Sequence, residues 1–134
     1  MILLDTHVVH WMAVGDPRLG PKASRQIQSA AAGILQVSSV SFWELGLHVA
    51  KNRLVPQLSS DVRSLRKDLV IRGFGLLPLD VESAIHATEL ANFHADPADR
   101  FLVAVALTRN FKFMTADRKI LQWSGALDSI DAEK

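Results

Sequence analysis

The chain has 134 residues, of which 49% are hydrophobic and 22% charged, with a formal net charge of +1 and no cysteine. This length and hydrophobic content predict a single domain over 1–134 with a real core, and they exclude a disordered chain. The absence of cysteine excludes disulfides, thiolate metal sites and a cysteine nucleophile, while the nearly neutral charge neither requires nor excludes a nucleic-acid partner.

The N-terminal stretch, MILLDTH, carries an acid at position 5 and no long apolar segment, which disfavours a signal peptide. No apolar run in the chain reaches the length that a membrane span needs. We therefore expect a cytoplasmic protein without a membrane partner.

Apolar periodicity and turn residues predict alternating strands and helices. In chain order these are a strand over 2–5, helices over 6–13 and 21–31, a strand over 33–39, helices over 41–54 and 59–73, a strand over 74–79, helices over 80–93 and 96–110, a strand over 111–115, a helix over 117–124 and a strand over 126–131. Pro21 suits a first helical position, Ser59 or Ser60 the entry to a helix that Gly73 closes, and Asp80 an N-cap. The alternation predicts an α/β fold with a mostly parallel sheet and helices on both faces.

Five acids are predicted to meet at one edge of this sheet, because ligand sites of parallel α/β folds lie beyond the carboxyl ends of the strands. Asp5 ends the first strand and Asp117 follows the fourth. Glu44 falls in the first turn of the helix after the second strand. Asp96 and Asp99 open a helix that runs antiparallel to the fourth strand. We call these five residues the acidic cluster.

Each acid taken alone also has a structural interpretation. Asp5, Asp96 and Asp117 suit helix N-caps, Glu44 has the spacing of a capping box with Ser41, and a first-turn acid such as Asp99 complements the helix dipole. The joint placement favours a site, because carboxylates that close repel unless a proton or a cation lies between them. An all-oxygen cluster suits Mg²⁺ or Mn²⁺ rather than zinc.

Four motifs occur in a fixed order: LLDTHVVHW, SSVSFWELGLHVAKNRL, HADPADRFLVAVAL and FMTADRKI. Together they resemble the PIN-domain family, and most closely the VapC-like toxins of bacterial toxin–antitoxin pairs. The resemblance covers nearly the whole chain. It implies a three-layer α/β/α sandwich, cleavage of RNA with a divalent metal, a cognate antitoxin and a homodimer.

The resemblance also implies roles for individual residues. The implied catalytic acids are Asp5, Glu44, Asp99 and Asp117. Asp5, Asp99 and Asp117 are expected to hold metal directly or through water, with Asp96 as a further ligand, and Thr115 to support a carboxylate or a metal-bound water. Whether Glu44 or Asp117 serves as a general base stays open.

The resulting hypothesis is a Mg²⁺- or Mn²⁺-dependent endoribonuclease that hydrolyses RNA phosphodiester bonds. The alternative is a catalytically silent PIN-like module that binds RNA or protein. Other classes fit less well, because the turn after the first strand lacks the glycines of a dinucleotide site and the chain has no P-loop. A phosphatase with an aspartyl nucleophile needs a second acid where His7 stands.

Several residues outside the cluster have two interpretations. Arg100 and Arg118 each follow a candidate acid and could bind substrate phosphate or neutralise the cluster. His94 could contact metal or phosphate, but a loop or packing role is the favoured interpretation. Four further histidines are interpreted as surface or packing residues: His7, His10, His48 and His86. The basic residues Arg63, Arg66 and Lys67 share one helical face and form either a solvated surface or an RNA track. The aromatic residues Trp11, Phe42 and Trp43 are interpreted as core residues, or as part of a partner groove if they are exposed.

Overall fold

The computed structural model describes residues 1–51 and 61–134, which form five strands and seven helices. In chain order the elements are β1 Ile2–Leu4, α1 Thr6–Val14, α2 Pro21–Ser29, β2 Leu35–Ser38, α3 Ser39–Ala50, α4 Val62–Ile71, β3 Gly75–Leu77, α5 Val81–Glu89, α6 Pro97–Arg109, β4 Lys112–Thr115, α7 Arg118–Leu121 and β5 Ser129–Asp131. No helix in these described ranges has the length and apolar character needed to cross a membrane.

The strands form one sheet in the order β3-β2-β1-β4-β5, and every neighbouring pair is parallel. β1 lies at the centre, where Leu3 pairs with Gln36 of β2 and with Phe113 of β4. The predicted α/β fold with a parallel sheet is confirmed. The carboxyl ends of β1, β2 and β4 therefore lie side by side at one edge of the sheet.

Two hydrophobic cores cover the two faces of the sheet. Side chains of β1 alternate between them, because successive residues of a strand point to opposite faces. Ile2 and Leu4 pack with α1, α2 and α4, whereas Leu3 packs with α6 and α7. Helix α6 is buried as its composition predicts, with Leu102 through Ala106 at most 1% exposed.

Helix α3 begins earlier than the sequence suggested. Ser38 is its N-cap and accepts a hydrogen bond from the amide of Val40, so the helix starts at Ser39 rather than at 41. Glu44 consequently lies in the second turn of α3, and the proposed capping box between Ser41 and Glu44 is wrong. Ser38 is the last residue of β2, and its extended backbone is the conformation that an N-cap requires.

The other helix ends differ by a few residues. Asp80 caps α5 as predicted, but α5 ends at Glu89, and Asn92 beyond it has a positive φ that helix does not allow. Asp61 caps the described part of α4 by accepting from the amide of Ser64. The predicted entry of that helix at Ser59 or Ser60 lies outside the described residues, as does the segment 52–54 predicted to continue α3.

Candidate active site

Asp5 is the buried centre of the site. It caps α1, with its Oδ1 accepting from the amide of Thr6 at 2.7 Å, and only 2% of its surface is exposed. Its Oδ2 accepts from the hydroxyl of Thr115 at 2.6 Å. Burial raises the pKa of the Asp5 carboxyl, although nearby His7 and these hydrogen bonds oppose that effect. Thr115 thus supports a carboxylate, as the resemblance implied.

Glu44 reaches the site from the second turn of α3. Its Oε1 accepts from the hydroxyl of Thr6 at 2.5 Å, and that hydroxyl also lies 2.9 Å from the Oγ of Ser41. Burial raises the pKa of Glu44, and the charges of Asp5 and Asp96 raise it further, against the hydrogen bond from Thr6. Thr6 therefore links the first strand's end to α3, a contact that the sequence alone did not indicate.

The remaining acids come from helix N-termini. Asp96 caps α6 through Oδ1, which accepts from the amides of Ala98 and Asp99. Asp117 caps α7 through its Oδ1, which accepts from the amide of Lys119 at 2.8 Å. Asp5, Asp96 and Asp117 are thus N-caps in addition to being members of the acidic cluster, and each uses its Oδ1 for the cap.

The other four acids lie close enough to Asp99 for their charges to act on it. The pKa of Asp99 is raised to about 8, first by burial and then by the charges of the other four members of the acidic cluster. A shift of this size at a helix N-terminus runs against the helix dipole, which favours the charged form. A carboxyl surrounded in this way binds either a proton or a cation.

His94 joins the acids, contrary to its interpretation as a loop or packing residue. His94, Asp99 and Asp117 each offer one ligand atom, and these three atoms lie within 4.8 Å of one another. The Nε2 of His94 is buried, lies 3.4 Å from Oδ2 of Asp99, and has no hydrogen-bond partner among the described residues. The carboxylate oxygens suit Mg²⁺ or Mn²⁺, and the imidazole nitrogen adds a ligand of the kind that transition metals accept. These residues fit a divalent metal, and the only sequence signal for His94 was its position two residues before Asp96.

Among the described residues, Arg100 contacts backbone carbonyls, and its contact with substrate phosphate stays a prediction. Its guanidinium donates to four backbone carbonyls in and after α5, those of Ala87, Leu90, Phe93 and His94. These bonds engage at most four of the five N–H donors of the guanidinium. Arg100 thereby positions the loop that carries His94.

Arg118 is half exposed and pairs with Asp131 at 2.9 Å and Glu133 at 2.8 Å rather than with the acidic cluster. Its guanidinium donates to both carboxylates from one nitrogen, Nη2. Contact of Arg118 with substrate phosphate stays a prediction.

Three histidines interpreted as surface or packing residues line the site. His7, His10 and His48 border a cavity of about 140 Å³ together with Asp5, Glu44 and Asp99. Burial lowers the pKa of His10, whose Nδ1 is buried without a hydrogen-bond partner in the described ranges. The remaining histidine of that set, His86, borders a different cavity.

An exposed groove adjoins the site along α3 and the start of α6. Trp43 is 58% exposed and lines this groove with Leu47, Lys51 and Pro97, while Glu44 and His48 line both the groove and the acidic cavity. Trp11 is buried and Phe42 partly buried, as expected of packing residues. Trp43 therefore meets the condition set from the sequence for a partner groove.

The basic residues of α4 lie elsewhere. Arg63 and Arg66 border an apolar depression with Phe42 and Leu77, and Lys67 lies near the exposed Val70 and Ile71. None of them lines the acidic cavity or its groove. Their use as an RNA track stays a prediction.

The sequence and the fold both have counterparts among known proteins. The sequence model described as PIN domain matches residues 2–124. The chain belongs to the PIN-domain family. Within it, this PIN domain is 31% identical over 121 residues to ribonuclease VapC22 of Mycobacterium tuberculosis, covering 89% of the chain and 88% of that relative. The resemblance to VapC-like sequences is thereby confirmed.

Solved structures share the fold of this PIN domain at low identity. FitAcB from Neisseria gonorrhoeae superposes with a TM-score of 0.70 at 19% identity over 98% of each chain. VapBC-1 from nontypeable Haemophilus influenzae gives a TM-score of 0.68 at 20% identity over 100% of each chain. A toxin–antitoxin complex from Klebsiella pneumoniae gives 0.68 at 14% identity over 98% of each. The three-layer α/β/α sandwich is thus confirmed.

Proposed function

We propose that this PIN domain is a divalent-metal-dependent endoribonuclease and the toxin of a toxin–antitoxin pair. The observation that carries the proposal is the convergence of five carboxylates around Asp99, with ligand atoms of His94, Asp99 and Asp117 within 4.8 Å of one another. The relative named a ribonuclease supports RNA as the substrate. Mg²⁺ or Mn²⁺ is the proposed metal.

The roles of individual residues follow from their contacts. A bound divalent ion would lower the pKa of water and neutralise charge building on the phosphate. Asp99 and Asp117 would hold the ion with His94, and Asp5 and Asp96 are further proposed ligands. Thr115 fixes the Asp5 carboxylate through its hydroxyl. Glu44 is oriented by Thr6 and has a pKa raised by burial, and it is the proposed general base.

RNA cleavage separates the enzyme from a silent binding module. Purified protein should cleave an RNA pool with added Mg²⁺ or Mn²⁺ and should not cleave it in excess EDTA. Cleavage with Ca²⁺ should be poor, because the larger and looser coordination shell of Ca²⁺ fits the reaction geometry less well. Asp5→Asn and Asp99→Asn should abolish most cleavage while the fold survives. Asp80→Asn, which changes a capping acid outside the cluster, is the matched control. Full activity in EDTA, or wild-type rates in either cluster variant, would contradict the proposal.

The proposed protein partner is a cognate antitoxin, and a homodimer is proposed for the toxin itself. One solved structure of the same fold is a toxin–antitoxin complex from Klebsiella pneumoniae, which supports a partner of this kind. We propose that the antitoxin lies in the groove of Trp43, Leu47 and Lys51 and offers a basic side chain to the acidic cluster, since arginine pairs well with carboxylates. The pair would act in the cytoplasm, where RNA is available.

Growth tests check the toxin assignment. Expression of the chain alone should arrest bacterial growth, expression with its antitoxin should not, and Asp99→Asn alone should be tolerated. Sequencing of RNA ends after expression would identify the cleaved RNA. Harmless expression of folded wild-type protein without RNA cleavage would count against the assignment.

A further inference from the structure

His7 connects two segments that carry acids of the cluster. Its Nε2 accepts a hydrogen bond from the backbone amide of Ala116 at 2.9 Å. A nitrogen that accepts has a free lone pair, so the hydrogen of the neutral ring is on Nδ1. That Nδ1 lies 3.7 Å from Oδ2 of Asp5. One imidazole thus faces the end of β1 and the residue that follows β4.

The ladder of the parallel sheet explains why Ala116 needs a side-chain partner. The amide of Asp5 donates to the carbonyl of Met114 at 2.9 Å, so the regular parallel pattern would next pair the amide of Ala116 with the carbonyl of Asp5. That carbonyl instead accepts from the amides of Val8 and Val9 in the first turn of α1. The strand-to-helix turn at Asp5 therefore removes one rung of the ladder, and His7 supplies the missing acceptor.

The position of Asp117 depends on this contact. The amide of Asp117 donates to the Oγ1 of Thr115 at 3.0 Å, and the same hydroxyl donates to Asp5. Two successive amides after β4 are therefore held by side chains that also contact or face Asp5. The ring of His7 is itself held by Trp11, with ring centroids 5.0 Å apart.

We propose that His7 is a positioning residue that fixes the loop of Ala116 and Asp117 against Asp5, so that the carboxylate of Asp117 meets those of Asp5 and Asp99. That this arrangement serves a metal rests on the proposed function. The arrangement itself is a property of the chain and can be measured without metal.

Three substitutions at one position separate the two contacts of His7. In His7→Gln the side-chain oxygen reaches about as far as Nε2 and can accept from Ala116. In His7→Asn the polar atoms reach only about as far as Nδ1, so the side chain faces Asp5 without reaching Ala116. His7→Ala removes both contacts, and His86→Ala, in a different cavity, is the control.

Two measurements are made on each variant. Amide exchange of Ala116 in EDTA should be about 10-fold faster in His7→Ala and His7→Asn, as loss of one hydrogen bond predicts, and near wild type in His7→Gln. The affinity for Mn²⁺, measured by calorimetry, should fall by about 10- to 100-fold in the same two variants, the effect typical of residues that orient metal ligands, and be largely kept in His7→Gln.

The outcomes separate the positioning role of His7 from the proposed metal-dependent function. Unchanged exchange of Ala116 in His7→Ala, or a His7→Gln protein as impaired as His7→Ala, would overturn the positioning role. Absence of Mn²⁺ binding by wild-type protein would instead refute the proposed function. The exchange data on metal-free protein would still decide whether His7 holds the loop.

Discussion

Asp99 has a strongly raised pKa, and this displacement has consequences for stability. Its pKa is about 8 in the folded protein and 3.8 in an unperturbed chain, so the folded state binds the proton more tightly. Its contribution to stability is therefore fully present below about pH 4 and is lost as the pH rises towards 8. In metal-free protein, the burial and the repulsion that raise the pKa of Asp99 become a cost at neutral pH.

Replacing Asp99 by Asn should consequently stabilise the metal-free protein at neutral pH, by about 0.5–2 kcal/mol, the size typical of relieving strain at a functional site. The gain should be larger at pH 8 than at pH 5. Thermal unfolding in EDTA at both pH values provides the measurement. Asp80→Asn is the control of opposite sign, because a hydrogen bond with Ser83 lowers the pKa of Asp80 and its charged form is the favoured one. If Asp99 acted only as a helix-dipole acid, its replacement would lower the melting temperature.

At the scale of elements, the connection between α5 and α6 is held by one side chain. Arg100 donates to four backbone carbonyls of this connection, one of which belongs to His94. Lysine cannot reproduce a planar fork of donors, so Arg100→Lys should cost about 2 kcal/mol of stability, in the range for hydrogen bonds from a charged group. Denaturant unfolding would measure the loss. Arg118→Lys is the matched control, since half-exposed Arg118 makes ion pairs at the surface and should change stability little. Equal stability of the two variants would contradict the role given to Arg100.

The elements themselves were largely readable from the sequence. Alternation of strand and helix patterns predicted the parallel sheet, and the sheet topology then placed Asp5, Asp99 and Asp117 at one edge. The backbone contacts of Arg100 and the placement of His94 and His7 beside the acids were not predicted, for a common reason. Their roles depend on backbone groups that the fold brings to them, such as the carbonyl of Ala87 and the amide of Ala116, and a sequence pattern does not encode such contacts. The start of α3 was missed because two serines, Ser38 and Ser41, could each have capped it.

At the scale of the whole molecule, metal binding and folding should be coupled. A ligand that binds only the folded state raises its stability with concentration. Mg²⁺ or Mn²⁺ should therefore raise the melting temperature of wild-type protein, and raise that of Asp99→Asn less, because the variant lacks one ligand charge. Thermal scans across a metal titration test this. Equal shifts in the two proteins would indicate that the metal binds elsewhere.

Binding of the antitoxin is also a property of the whole molecule, and its affinity should depend on the groove that Trp43 lines. Trp43→Ala removes an exposed aromatic side chain from the groove beside the cluster, so it should weaken antitoxin binding by about 10-fold or more while leaving the fold intact. Calorimetry with the purified antitoxin measures the affinity. Val70→Ala, an exposed apolar residue on α4, is the control. Unaltered affinity with Trp43→Ala would remove the groove from the proposed interface.

The double use of Asp5, Asp96 and Asp117 as helix caps has a consequence for how such a protein can lose its activity. Asn and Ser also cap helices, so a substitution to either would spare the folded chain while removing a carboxylate. Alanine at the same positions would cost about 1 kcal/mol of capping as well. A library selected for folding alone should therefore retain capping residues at these three positions and turn to neutral side chains at Asp99. Inactive descendants of this chain should therefore keep Asp, Asn or Ser at the three capping positions and carry a neutral side chain at position 99.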